Sequence, residues 1–168
     1  MSTKQPIHRL TLKGFKSIKE LSKFELSRLN VLIGANNAGK SNFVSYFRML
    51  SEMMNMQLQN WTRKQGGSDR IVSFGVKETQ KIESFIEFGM NGYQFELEPT
   101  IDGGFSFVRE RLYFDGPYYG ESWTSLGSGH TEVKLQDSYN KSAKNKVPDY
   151  CYNSISNWKV FHFHDTSN

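Results

Sequence analysis

"LNVLIGANNAGKSNFVSYF", residues 29–47, decides the fold of this 168-residue chain. Leu29 to Ile33 is a near-continuous apolar run, which predicts a strand buried on both faces. Gly34-Ala-Asn-Asn-Ala-Gly39-Lys40-Ser41 follows and fills every fixed place of the pattern G-x-x-x-x-G-K-[ST]. After it, Phe43, Tyr46, Phe47, Leu50 and Met54 recur at steps of three and four. That spacing predicts one amphipathic helix running to about Leu58.

A strand, a glycine-rich loop and a helix in this order make a cradle for polyphosphate. The glycines permit backbone conformations that side chains block, so successive N–H groups turn into one hollow. The helix N-terminus adds partial positive charge there. The residues expected to line the site are Gly34, Asn36, Asn37, Ala38, Gly39, Lys40, Ser41 and Asn42. Lys40 is expected to neutralise the β- and γ-phosphates, and the Ser41 hydroxyl to help hold Mg²⁺. A plain glycine-rich turn with an exposed lysine is the competing reading, and it leaves the strand and helix on either side unexplained. ATP is the expected nucleotide. A guanine-selecting N/T-K-x-D is missing, because the nearest stretch, Asn145-Lys146-Val147-Pro148, has no aspartate.

Upstream, "HRLTLKGFKSI" alternates Leu10 and Leu12 with Thr11 and Lys13, a strand turning at Gly14. "SKFELS" repeats the alternation with Phe24 and Leu26. Residues 59–69, with Gly66-Gly67, read as a loop. From Lys81 the chain changes character: three strand-like runs are separated by Asn91-Gly92 and Asp102-Gly103-Gly104, both turn signals. Tyr93, Phe95 and Leu97 alternate with Gln94, Glu96 and Glu98, so that strand has one wet face. The expected organisation is a strand–loop–helix unit at 1–58, an antiparallel meander at 70–115, an irregular insertion at 116–148 and a helix/strand segment at 149–168.

At 37% hydrophobic and 23% charged residues, the composition is that of a folded domain rather than a disordered tail. No apolar run approaches the roughly 18 residues that span a bilayer. The start, "MSTKQPIHRL", lacks the apolar centre of a secretory signal. Cys151 is the single cysteine, which rules out a disulfide within the chain and any cysteine-based zinc cage. These features fit a reducing, cytoplasmic setting without a membrane partner. A net charge of +4 permits nucleic-acid contact without requiring it.

"LTLKGFKSIKELSKFELSRLNVLIGANNAGKSN" resembles the amino-terminal segment of the SMC/RecF-like branch of ABC-type ATPases. More narrowly, it is similar to bacterial predicted AAA-type ATPases related to the OLD family, in which a strand ending G-F-K-S precedes "NVLIGxNNxGKSN". The closing "VFHFHDTS" is similar to a segment met further along in that family. The resemblance implies an α/β P-loop NTPase fold of ABC/SMC type. Its sheet is expected to be mixed and incomplete, with an antiparallel meander. The resemblance also implies that Phe15-Lys16-Ser17 lies near the adenine or ribose, and that paired heads sandwich ATP as a head-to-head homodimer. Several relatives of this kind act in DNA maintenance or anti-phage defence, and the candidate partners are DNA and a nuclease.

A hydrolase of this branch also needs an acidic residue closing a buried strand for Mg²⁺ and a neighbouring carboxylate to orient water. Asp165 follows an apolar run, but Thr166 stands where a glutamate is expected and His162 and His164 interrupt the run. The catalytic residues are therefore unassigned. The chain reads as the amino-terminal part of a longer ATPase, or a short relative of one, that binds ATP with weak turnover alone. A non-hydrolysing interaction module that docks an effector such as a nuclease is the alternative.

Other features have plainer readings. "SLGSGH", Ser125 to His130, has the glycines of a signature loop in the wrong order and reads as a flexible linker. His162 and His164 share one strand face, yet no third or fourth metal ligand joins them. Lys141, Lys144 and Lys146, near Tyr139, could meet a nucleic-acid backbone but equally form a solvated loop. Met49, Met53, Met54 and Met56 read as packing or as an incomplete interface.

Overall fold

The computed structural model describes residues 6–36, 38–141, 146–156 and 158. In it, β1 (Arg9–Phe15) and β2 (Ile18–Glu25) form a hairpin, and helices α1 (Lys40–Met54) and α2 (Leu58–Lys64) follow. Strands β3 (Ile82–Phe88), β4 (Asn91–Pro99), β5 (Phe105–Gly116) and β6 (Gly120–Gly127) come next, then helices α3 (Leu135–Lys141) and α4 (Val147–Ser156). The strand order is β2-β1-β3-β4-β5-β6, and every neighbouring pair is antiparallel. The expected mixed sheet with a separate meander is thus corrected: hairpin and meander belong to one open antiparallel sheet, because β1 zips to β3 from Arg9–Glu87 to Lys13–Glu83.

Alternation builds the core. Leu10 and Leu12 of β1, Ile82 and Ile86 of β3, and Tyr93, Phe95 and Leu97 of β4 all bury on one face of the sheet. Against that face α1 lays Tyr46, Met49, Leu50, Met53 and Met54. The Tyr46 ring meets Phe15 edge-on at 5.8 Å, and its hydroxyl hydrogen-bonds Ser84 across to β3. Helix α4 adds Cys151 and Ile155 to the same core, with the Cys151 thiol donating to the Gly92 carbonyl at 3.4 Å. Three of the four methionines are therefore core, and Met56 is 38% exposed.

Three boundaries differ from the pattern in the sequence. The helix expected to run to about Leu58 stops at Met54, because Met56 sits at φ 56° and breaks the ladder after Asn55. The stretch 59–69 read as a loop instead holds most of α2 and the start of a 3-10 turn at Ser68–Arg70. The freed N–H groups of Leu58 and Gln59 at the start of α2 then donate to the Glu132 carboxylate at 2.9 and 3.0 Å, a cap from a remote segment. The first meander turn lies at Gly89-Met90 rather than Asn91-Gly92, which already pair with Phe88 and Glu87. Gly92 is a glycine for packing: a Cβ there would stand 2.7 Å from the Phe85 ring. The stretch 116–148 is not irregular, since it holds β6 and α3. Its lone polar faces hid a two-sided, solvent-washed edge strand.

Candidate phosphate-binding site

The run Leu29–Ile33 forms no strand, which corrects the reading of a doubly buried one. Leu29 is 81% exposed, Val31 71% and Ile33 90%. A strand needs a neighbour's N–H and C=O groups, and among the described residues the sheet ends at β2 on this side. The Ser27 amide donates to Asn30 Oδ1 at 3.0 Å, and Asn30 Nδ2 returns a bond to the Ser27 carbonyl at 2.8 Å. That turn carries the chain off the sheet. Val31, Leu32 and Ile33 then border an apolar hollow of about 370 Å³ with Leu21, Phe24 and Phe43.

Of the two glycines of the loop, Gly39 alone takes the left-handed backbone. Gly39, immediately before α1, has φ 91° and ψ 0°, the left-handed region that a side chain disfavours. A Cβ there would also lie 3.1 Å from Ser17 Oγ. Helix α1 opens with no side-chain cap and no acidic residue in its first turn. Its N-terminus is therefore left free to meet an anion. A cleft of about 600 Å³ lies over it, lined by Asn36, Gly39, Lys40, Ser41 and Asn42. Gly34 and Ala38 are neighbours across the loop, and the Ala38 amide donates to the Ala35 carbonyl at 3.2 Å. Asn37 lies outside the described residues.

Lys40 folds back on its own loop. Its ammonium donates to the carbonyls of Gly34 at 2.6 Å and Ala35 at 2.7 Å. The charge thus sits at the cleft on solvent-exposed carbonyls, which a polyphosphate can replace. Ser41 stands beside it at the helix start, on the cleft wall.

Of the turn Phe15-Lys16-Ser17, Ser17 alone borders the loop. Phe15 is fully buried against Tyr46. Lys16, at φ 49°, donates to Ser45 Oγ at 2.7 Å and Gln65 Oε1 at 3.2 Å, tying the hairpin to α1 and the end of α2. Burial, with Arg48 nearby, pulls its ammonium below the usual lysine range. Ser17 Oγ instead accepts from Asn42 Nδ2 at 2.7 Å, one residue past Ser41. Pattern matching marked Asn42 as a lining residue but not this bond.

His162, His164, Asp165 and Lys144 lie outside the described residues. Among the described residues no group of three histidine, cysteine or acidic side chains could hold a metal, and no carboxylate lines the phosphate cleft. Lys146 is exposed just before α4. "SLGSGH" is not a free linker: it closes β6, and His130 pairs with Phe107 of β5 through main-chain bonds while its ring stacks on Phe107 at 4.7 Å. Under it lies Glu110, a fully buried carboxylate that sequence reading missed. Glu110 accepts from Tyr93 Oη at 2.9 Å and from the amides of Lys134 and Leu135 at the start of α3, and pairs with His130 Nε2 at 2.6 Å. Its place in the register, inward beside a bulge at Glu110/Arg111, is invisible without the pairing.

Compared with known proteins, the chain matches the family described as AAA ATPase domain over residues 6–166. No curated protein and no solved structure matches it.

Proposed function

The chain belongs to the AAA ATPase domain family, and on that premise we propose that it binds ATP with Mg²⁺ at residues 34–42. The observation that carries this reading is the uncapped, acid-free N-terminus of α1 facing a cleft with Lys40 at its mouth. The donors present fit the ligand: a cation, backbone amides at a helix start and a hydroxyl at Ser41 are what a polyphosphate–magnesium pair requires. The chemistry a magnesium ion would supply there is to offset the phosphate charge. Lys40 would leave the Gly34 and Ala35 carbonyls for phosphate oxygens, Ser41 would ligate the metal, and Asn36, Asn37, Ala38 and Asn42 would wall the loop.

Hydrolysis needs carboxylates that the described residues do not bring to the cleft. The exposed run Leu29–Ile33 supports the reading that its backbone partners, and the acidic strand with them, come from outside the described residues. In that complete form, of the SMC/OLD-like type, two heads would close on ATP, in DNA maintenance or phage defence. The acid-free cleft equally favours the second reading, a module that binds ATP without cleaving it and docks an effector such as a nuclease. Phosphate release by this chain, alone and with its longest natural form, separates the two. Turnover in the longer form supports the ATPase; tight binding without turnover there supports the module.

A further inference from the structure

The apolar hollow beside the phosphate loop is shaped by an irregularity in β2. Ser22 and Lys23 together stand opposite the single residue Thr11, between the pairs Leu12–Leu21 and Leu10–Phe24. Lys23 takes φ 48°, and its amide donates to Thr11 Oγ1 at 3.1 Å. On a regular strand, positions three apart face opposite ways. The extra residue re-aims Phe24, so that it shares the face of Leu21. There the Phe24 ring meets Phe43 of α1 edge-on at 6.1 Å and remains 37% exposed.

The hollow and the phosphate cleft share a wall, because Gly39 and Lys40 line both. A ligand that sets its phosphates at the start of α1 therefore has its other end within reach of the hollow. At about 370 Å³ the hollow lies in the range that holds small ligands. Neither Phe15 nor Lys16 lines it. Of the described side chains around it, only Ser17 and Lys40 are polar.

We propose that this hollow seats the nucleotide's base against Phe24 and takes adenine and guanine alike, so that the ligand class is purine nucleoside triphosphates. The inference rests on the phosphate-binding reading of residues 34–42. Stacking on an aromatic ring is tolerant of base identity, since every base has a π-face. The Ser17 hydroxyl both donates and accepts, so an amino or an oxo group on the ring meets it equally well. Lys40 is taken up by the phosphates. No side chain on the wall therefore distinguishes one purine from the other.

Titration of the full chain with Mg-ATP, Mg-GTP and magnesium tripolyphosphate tests it. The two nucleotides are expected to bind within about threefold of each other, and tripolyphosphate, which has no base, at least about fivefold more weakly. Phe24→Ala should weaken both nucleotides at least about fivefold and leave tripolyphosphate unchanged, which also shows that the variant is folded. Phe24→Trp, which keeps a stacking face, should retain nucleotide binding. Tripolyphosphate binding as tightly as Mg-ATP overturns the proposal while leaving the phosphate loop intact. So does a Phe24→Ala variant with unchanged nucleotide affinity, or one that loses tripolyphosphate in equal measure. A tenfold preference for one purine overturns the lack of base readout. Absence of binding by all three ligands removes the phosphate site and this inference with it.

Discussion

Asn42 Nδ2 donates to Ser17 Oγ across 2.7 Å, so the β1–β2 turn and the first turn of the phosphate-loop helix are held to each other by one exposed bond. The same Ser17 oxygen marks the space that only a glycine at position 39 leaves open. The turn thereby fixes the backbone from which the loop amides point.

Breaking this bond is expected to affect binding more than folding. Ser17→Ala and Asn42→Ala should each change stability by less than about 1 kcal/mol, since the pair is exposed. Each should weaken Mg-ATP binding severalfold, and the double variant should lose little beyond either single one. A thermodynamic cycle over the four proteins checks it; strictly additive losses would show that the two residues act separately.

Glu110 is expected to matter for stability rather than for the nucleotide. It satisfies two helix-start amides, a tyrosine hydroxyl and a histidine ring while wholly buried. Glu110→Gln keeps the shape but removes the charge, and should cost about 1.5–3 kcal/mol in urea unfolding. An unchanged midpoint would refute the arrangement around α3.

Burial sets an alkaline limit. The Tyr46 and Tyr93 phenols are pushed well above the usual tyrosine value, chiefly by burial, with Glu110 adding to the rise at Tyr93. Burial likewise raises the Cys151 thiol. A raised folded pKa favours the neutral form in the fold, so this stability is whole below the unfolded values. It should decline as pH rises past about 8.5 for the thiol and about 10 for the phenols. Melting temperature against pH reads the decline, and a thiol reagent at neutral pH should modify Cys151 only after unfolding. Fast labelling of the native chain would contradict its burial.

The exposed run gives a prediction that a buried strand would fail. Ile33→Asp should alter the stability of this chain by less than about 0.5 kcal/mol, the ordinary range for a surface change. A loss of several kcal/mol in denaturant unfolding would mean that Leu29–Ile33 is packed after all.

Local signals were legible where one residue or one period sufficed. Leu10, Leu12, Tyr93, Phe95 and Leu97 alternate and do bury, and the stripe through Tyr46 and Leu50 does face the core. Gly39 and Lys40 sit where the pattern puts them, at the mouth of the helix. What failed depended on partners far away in sequence. The apolar run Leu29–Ile33 has the composition of a core strand, yet burial is decided by a neighbouring strand and none is present among the described residues. β6 has few large apolar residues because both its faces are wet, so it read as a loop. The end of α1 is fixed by Met56 at a positive φ and by Glu132 reaching α2 from 74 residues away, neither of which a helical period encodes.

Calorimetric titration of the chain with Mg-ATP, beside Lys40→Ala, tests the central claim most directly. Saturable binding by the wild type, weakened at least about tenfold by a substitution that removes the charge-assisted phosphate contact, is the predicted result. No binding by the wild type, or equal affinity in the variant, would contradict it.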